Sequence, residues 1–179
     1  MTNTRAIHNL ALIGFMGTGK SCVGRLVADS LHFDYLDTDQ VIEFRAHKSI
    51  TEIFEQDGEA NFREWERRVV GELAQRTKTV ISTGGGLPAQ PDNLDSLKTH
   101  ALVVCLWASA ETIFERVRMH THRPLLNTPD PLQKIRQLLE AREPYYRQAD
   151  VLLNTEMRSA KEVAVQVLHQ FHMAHAAHR

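Results

Sequence analysis

Cysteines, long apolar runs and an excess of either charge are what this sequence lacks. Two cysteines among 179 residues are too few for a disulfide framework. No apolar run approaches the roughly 18 residues of a membrane span, and the polar N-terminus has no signal-peptide layout. The 21 basic and 22 acidic residues nearly balance, which argues against a nucleic-acid partner. These absences predict one cytoplasmic domain, residues 1–179, that binds neither membranes nor nucleic acids.

Apolar strands and amphipathic helices alternate along the chain. Short apolar runs predict strands at Asn9–Ile13, Phe33–Leu36, Thr79–Ser82, Ala101–Trp107 and Val151–Leu153. Helical spacing predicts helices at Lys20–Leu31, Thr38–Ala46, Ser49–Gln56, Glu59–Arg76, Ala110–Met119, Leu132–Arg147 and Ser159–Ala176. The alternation predicts a parallel sheet with helices on both faces, a three-layer α/β/α sandwich. Cys22 and Cys105 fall in segments that read as buried, which predicts core thiols in a reducing compartment.

Residues Gly14–Ser21 fit the pattern G-x-x-x-x-G-K-[ST] at every fixed position, between a predicted strand and helix. Glycines let consecutive backbone N–H groups approach phosphate oxygens, and the helix N-terminus adds its dipole. The pattern predicts a site for ATP and Mg²⁺, with Lys20 on the β- and γ-phosphates and Ser21 on the metal. The residues expected at the nucleotide are Gly17, Thr18, Gly19, Lys20, Ser21 and Cys22.

This phosphate-binding loop, the P-loop, does not by itself distinguish a kinase from a GTPase or a motor ATPase. The D-x-x-G and N-K-x-D motifs of a GTPase are missing, and strand Thr79–Ser82 ends without an acid. The acids Asp37 and Asp39 instead follow the second strand, in the crevice where open α/β sheets bind ligands. One would face the metal and its waters while the other meets an acceptor hydroxyl. The alternative is that Asp37 or Thr38 caps the next helix and Asp39 favours its dipole.

Six segments, in order, resemble the shikimate kinase family. They are Gly14–Ser21, Leu36-Asp37-Thr38-Asp39, Phe62-Arg63-x-x-Glu66, Gly84-Gly85-Gly86, Arg123-Pro124-Leu125-Leu126 and Arg142-x-x-Tyr145-Tyr146-Arg147. The match runs from about residue 8 to residue 155. It implies a monomer that transfers the γ-phosphoryl group of ATP to the 3-hydroxyl of shikimate, in the pathway to chorismate and the aromatic amino acids. It also implies a five-stranded parallel sheet in the order 2-3-1-4-5.

The resemblance assigns roles to single residues. Asp39 holds the acceptor hydroxyls and serves as base, and Asp37 lies near Mg²⁺. Arg63 and Arg142 grip the shikimate carboxylate, as arginine forks bind carboxylates bidentately. The remaining implied contacts are Gly84, Gly85 and Gly86 at the substrate, Arg116 on the adenine, and Arg123 over the transferring phosphoryl group. The acceptor-binding region is expected at about residues 38–76, and a lid that excludes water at about 119–130.

Each assignment has an ordinary structural alternative. Arg63 lies in a charged stretch whose i,i+3 and i,i+4 pairs are typical of an exposed helix face, and Arg142 has Glu143 beside it. Two other functions stay open at this point: a P-loop kinase for another small acceptor, such as gluconate or a nucleoside monophosphate, and a regulatory nucleotide-binding protein without turnover.

Overall fold

The computed structural model describes residues 5–118 and 128–176. Its sheet has five strands: β1 Asn9–Ile13, β2 Asp34–Asp37, β3 Thr79–Ser82, β4 Ala101–Trp107 and β5 Val151–Asn154. Every neighbouring pair is parallel, and the strand order is β2-β3-β1-β4-β5. The predicted parallel sheet and its order are therefore confirmed. Only β2 and β5 differ in their bounds, by one residue each.

Eight α-helices connect or flank the strands in the described residues. They are α1 Lys20–Leu31, α2 Thr38–Ala46, α3 Ile50–Glu52, α4 Gly58–Leu73, α5 Pro91–His100, α6 Ala110–Val117, α7 Pro131–Tyr146 and α8 Ala160–Ala176. A π-helix at Ile53–Asp57 follows α3. The prediction of one regular α-helix over Ser49–Gln56 is therefore wrong. The capping box that opens α3 is present, with Ser49 and Glu52 bonded reciprocally.

The sheet separates two apolar cores. Leu10 and Leu12 of β1 face one side with residues of α1 and α8. Ala11 and Ile13 face the other side with residues of α4, α5 and α7. All five residues of β1 are buried, which suits a central strand covered on both faces. The P-loop leaves the carboxyl end of this strand, so the most buried element of the fold positions it.

The two cysteines have different environments. Cys105 is buried in β4, and burial raises the pKa of its thiol to about 12. Cys22 is exposed, so the prediction of a core thiol at this position is wrong. Helix α1 buries Lys20, Val23, Gly24 and Val27 instead, and position 22 points away from them.

Within residues 5–118 and 128–176, the helices are too short or too polar to cross a bilayer.

Candidate active site

The P-loop backbone has a positive φ at Gly14, Gly17 and Gly19, and at the first two a side chain would also clash. Gly14 has φ +134° and Gly17 has φ +76°, both in the left-handed region. A Cβ atom on Gly14 would lie 2.1 Å from the carbonyl oxygen of Leu106, and one on Gly17 would lie 2.7 Å from Val117 Cγ1. The loop is therefore packed against β4 and α6 without room for a side chain, and its backbone shape is set by sterics.

Lys20 is buried inside the loop that it ends. Its Nζ donates hydrogen bonds to the carbonyl oxygens of Gly14 and Phe15, each at 2.9 Å. Thr18 Oγ1 donates to the same Phe15 oxygen at 2.8 Å. The ammonium group thus lies at the centre of the loop, where phosphate oxygens would replace the carbonyl acceptors.

A cleft of about 240 Å³ opens beside the P-loop at the carboxyl edge of the sheet. Its lining includes residues of the P-loop and α1, the acids at and just beyond the end of β2, and the residues at and just beyond the end of β3: Met16, Gly17, Gly19, Lys20, Ser21, Cys22, Asp37, Asp39, Ser82, Thr83, Gly84 and Gly85. The predicted phosphate-binding residues therefore share one cleft with Asp39, Gly84 and Gly85 of the predicted acceptor site, as expected for a crevice at the strand ends.

Asp37 has two roles, one from each carboxylate oxygen. Oδ1 accepts from the backbone N–H groups of Asp39 at 3.1 Å and Gln40 at 3.4 Å, so Asp37 is the N-cap of α2. Oδ2 accepts from Ser21 Oγ at 3.3 Å and from Tyr35 Oη at 3.4 Å. The helix-cap alternative is correct for Asp37, and the same carboxylate also faces the P-loop serine. Two hard oxygen donors in contact fit Mg²⁺, which takes few protein ligands and keeps several waters.

The glycine turn Gly84–Gly86 brings three predicted acceptor residues together. A Cβ atom on the first, second and third glycine would lie 2.5 Å from Asp39 Oδ1, 3.4 Å from Arg142 Nη1 and 2.9 Å from Arg63 Nη1, respectively. These side chains belong to α2, α7 and α4, and they converge on the turn after β3. The absence of a Cβ at Gly84 and Gly86 gives Asp39 and Arg63 room to lie against the backbone, whereas a Cβ at Gly85 would only touch Arg142.

Arg63 is held by two carboxylates on its own helix. Nη1 contacts Glu66 Oε2 at 2.7 Å, and Nη2 contacts Glu59 Oε1 at 2.8 Å. The i,i+3 and i,i+4 pairs of the helix-face alternative are therefore present, although the guanidinium group also lies against Gly86. Glu59 is 65% exposed, whereas Glu66 is 1% exposed.

Glu66 is a site residue that the sequence reasoning quoted in a motif but gave no role. Burial raises the pKa of its carboxyl to about 7, against the opposing effect of Arg63, and the nearby charge of Asp39 adds to the rise. Among the described residues, Glu66 Oε1 has no hydrogen-bond partner. The signal in the sequence was its spacing of three from Arg63, which an exposed ion pair shares.

Tyr146, also quoted without a role, supports the glycine turn. Its Oη donates to the Gly85 carbonyl oxygen at 2.7 Å. Burial raises the pKa of this phenol to about 12, so it remains a donor at neutral pH. Tyr146 lies one turn beyond Arg142 on α7, and the Arg142 guanidinium carbon lies 5.3 Å from the centre of the Phe15 ring. Helix α7 therefore fixes both the turn and the arginine that faces it.

Comparison with known proteins identifies the family. A sequence model described as "Shikimate kinase" matches residues 16–172. The shikimate kinase of Thermodesulfovibrio yellowstonii is 42% identical over 165 residues, which are 92% of this chain and 95% of that protein. The chain belongs to the shikimate kinase family. Gluconate and nucleotide acceptors are therefore set aside, and an ATP-dependent kinase with a hydroxyl acceptor, the predicted activity class, is confirmed.

Solved structures of the shikimate kinase family have the same fold. The shikimate kinase of Acinetobacter baumannii in complex with shikimate matches with a TM-score of 0.89 at 37% identity, covering 94% of this chain and 95% of that one. The enzyme from Aquifex aeolicus matches with a TM-score of 0.81 at 37% identity, covering 92% and 96%. The predicted P-loop kinase fold is confirmed.

Two further residues belong to the predicted nucleotide side of this shikimate kinase fold. Arg116 of α6 donates to the Gly17 carbonyl oxygen at 3.2 Å, and to Oγ1 and the carbonyl oxygen of Thr155 at 2.9 and 2.8 Å. It therefore bridges the P-loop and the loop after β5, while its contact with adenine stays a prediction. Arg123 lies outside the described residues, as does most of the predicted lid 119–130.

Proposed function

We propose that this protein transfers the γ-phosphoryl group of ATP to the 3-hydroxyl of shikimate and releases shikimate 3-phosphate and ADP. The observation that carries the proposal is the glycine turn, which lies beside the P-loop and has Asp39, Arg142 and Arg63 against its three residues. One acid and two arginines suit a ring with hydroxyls at one end and a carboxylate at the other.

The two arginines bind the carboxylate of shikimate. Each presents a planar guanidinium fork, and charge-assisted contacts of this kind are about twice as strong as neutral hydrogen bonds. The ion pair with Glu66 orients Arg63 by its Nη1, and Phe15 lies under Arg142. Gly84, Gly85 and Gly86 leave the acceptor close to the backbone.

Phosphoryl transfer follows from this positioning. The 3-hydroxyl oxygen attacks the γ-phosphorus, the bond to the β–γ bridging oxygen breaks with its electron pair going to ADP, and the hydroxyl proton passes to Asp39. Because the transition state is loose, Asp39 accepts the proton late. Lys20, with the predicted lid residue Arg123, offsets the charge that spreads over the γ-phosphoryl oxygens.

The nucleotide side is completed by backbone and side-chain contacts. Gly17, Thr18, Gly19 and Cys22 line the phosphate path, and Arg116 packs on the adenine. Ser21 and Asp37 would hold Mg²⁺, and the ion would supply charge neutralisation at the phosphates. We further propose that the chain is a monomeric, cytoplasmic single domain whose partners are small molecules. Sedimentation of the purified protein tests the monomer.

An ADP-release assay with ATP and Mg²⁺ tests the acceptor, with shikimate, gluconate and AMP in parallel. We expect turnover with shikimate alone. Asp39→Asn lowers kcat by about 100-fold or more, as expected for loss of a general base. Arg142→Ala raises the KM for shikimate about tenfold or more, because a charge-assisted contact is lost.

Arg136→Ala is the matched control for Arg142→Ala. Arg136 lies on the same helix and is exposed, and it pairs with Glu111 away from the glycine turn. The Arg136→Ala substitution should leave the KM for shikimate unchanged. Turnover with gluconate or AMP in place of shikimate would leave the P-loop assignment intact and refute every acceptor assignment.

A further inference from the structure

The loop between β5 and α8 holds the Arg116 side chain in position. Two of its hydrogen bonds are made to Thr155 in that loop, and a third reaches Gly17 in the P-loop. Thr155 is itself buried, and its backbone N–H donates to the Trp107 carbonyl oxygen at 3.0 Å. A shift of this loop would therefore move the Arg116 guanidinium group away from the P-loop.

Glu156, the next residue of the loop, binds the other end of the helix that carries Arg116. Its Oε1 accepts from the backbone N–H of Ser109 at 2.8 Å, from Ser109 Oγ at 2.5 Å and from Thr112 Oγ1 at 2.9 Å. Ser109 is the N-cap of α6. The loop and helix α6 are thus joined twice: by Glu156 at the start of the helix and by Arg116 near its end.

The Glu156 contact is a charged one. Hydrogen bonds from the hydroxyl and the backbone N–H of Ser109, with a further one from Thr112, hold the pKa of the Glu156 carboxyl at about 2. A carboxylate at a helix N-terminus is also favoured by the helix dipole. The contact therefore persists through the neutral pH range.

We propose that Glu156 is a positioning residue for the kinase reaction, which holds Arg116 where it packs on the adenine of ATP. Arg116 uses the edge of its guanidinium group for Thr155 and Gly17, whereas stacking on a base uses the plane. Glu156 acts through the loop and the helix without touching the nucleotide. The inference rests on the proposed contact between Arg116 and adenine.

The test compares four variants of the full chain in steady-state assays with ATP and shikimate varied separately. Glu156→Ala removes every acceptor, and Glu156→Gln keeps one oxygen in place. Arg116→Ala removes the positioned group. Glu162→Ala is the matched control, because Glu162 Oε2 accepts from the N–H and Oγ of Ser159, each at 2.7 Å, at the start of α8. Glu162 therefore accepts from an N-cap serine as Glu156 does, but at the start of α8, which does not carry Arg116.

Glu156→Ala is expected to raise the KM for ATP about five- to tenfold, the net size of an ordinary hydrogen bond, because the substitution acts on Arg116 indirectly. kcat at saturating ATP and the KM for shikimate stay near their original values, and Glu156→Gln restores most of the ATP affinity. Glu162→Ala changes none of these constants, although it lowers Tm by a similar amount as Glu156→Ala.

Two results would overturn the inference. If Arg116→Ala raises the KM for ATP but Glu156→Ala behaves as Glu162→Ala does, Glu156 is only a helix cap, and the proposed nucleotide site stands. If Arg116→Ala leaves the KM for ATP unchanged, the adenine contact itself is refuted, and the role of Glu156 is refuted with it. Shikimate turnover in the unmodified protein is independent of both results.

Discussion

Glu66 makes the stability of the fold depend on pH in a direction opposite to that of most carboxylates. Its pKa is about 7 in the folded protein, raised from an ordinary 4.5 by burial. A raised pKa means that the folded state holds the proton more tightly than the unfolded state does. The contribution of Glu66 to the free energy of unfolding is therefore fully present below pH 4.5 and is lost as pH rises through 7. Over the range from pH 5 to pH 8, this group alone lowers the free energy of unfolding by about 2 to 3 kcal/mol.

Glu66→Gln isolates this contribution, since glutamine keeps the shape and the hydrogen bond from Arg63 is made to a neutral acceptor. Urea unfolding at pH 5, 6, 7 and 8 gives the difference in unfolding free energy between the variant and the original protein. We expect this difference to move in favour of the variant by about 2 to 3 kcal/mol from pH 5 to pH 8, as protonation linkage requires.

Glu59→Gln is the control, because Glu59 binds the same arginine but is 65% exposed. The difference in unfolding free energy between Glu59→Gln and the original protein should stay constant across this pH range, because an exposed ion pair contributes little to stability. A flat profile for Glu66→Gln as well would refute the account of Glu66 as a buried carboxyl with a raised pKa.

Two other predictions follow from the cleft. Gly84→Ala places a Cβ atom 2.5 Å from Asp39 Oδ1, so shikimate turnover should fall sharply while the circular dichroism spectrum is retained. Gly71→Ala, in α4 with nothing within 4 Å of the new Cβ, should keep full activity; equal activity in both variants would contradict the crowding at the turn. Cys22 is exposed at the cleft, so iodoacetamide should modify it and ATP should slow the reaction, while buried Cys105 stays unmodified. A Cys22 modification rate that ATP does not change would place this thiol away from the bound nucleotide.

The sheet was predictable because its signals are local and repeated. Each strand is a short apolar run, and the P-loop pattern lies between a predicted strand and a predicted helix, as that motif requires. Helix α5, Pro91–His100, was missed because Leu94 and Leu97 are its only apolar residues apart from the proline. The remaining positions are polar, and a proline at the start reads equally well as a loop.

The site was predictable in its members but not in its contacts. Spacing along the chain cannot show that Asp39, Arg142 and Arg63 meet at consecutive glycines, since they come from three separate helices. Glu66 shows the same limit, because an i,i+3 pair with arginine looks alike whether it is buried or exposed. Cys22 was expected to be buried because its segment forms a helix, but residue 22 lies off the face of α1 that buries Val23 and Val27.

The most direct test of the central claim is identification of the product by phosphorus–proton correlation NMR. The unmodified protein is incubated with ATP, Mg²⁺ and shikimate, and the coupling of the new phosphate locates the ester. Our account predicts a single product with the phosphate on the 3-hydroxyl, together with ADP. A phosphate on another hydroxyl would contradict the placement of Asp39, and ADP release without a phosphoester would contradict shikimate as the acceptor.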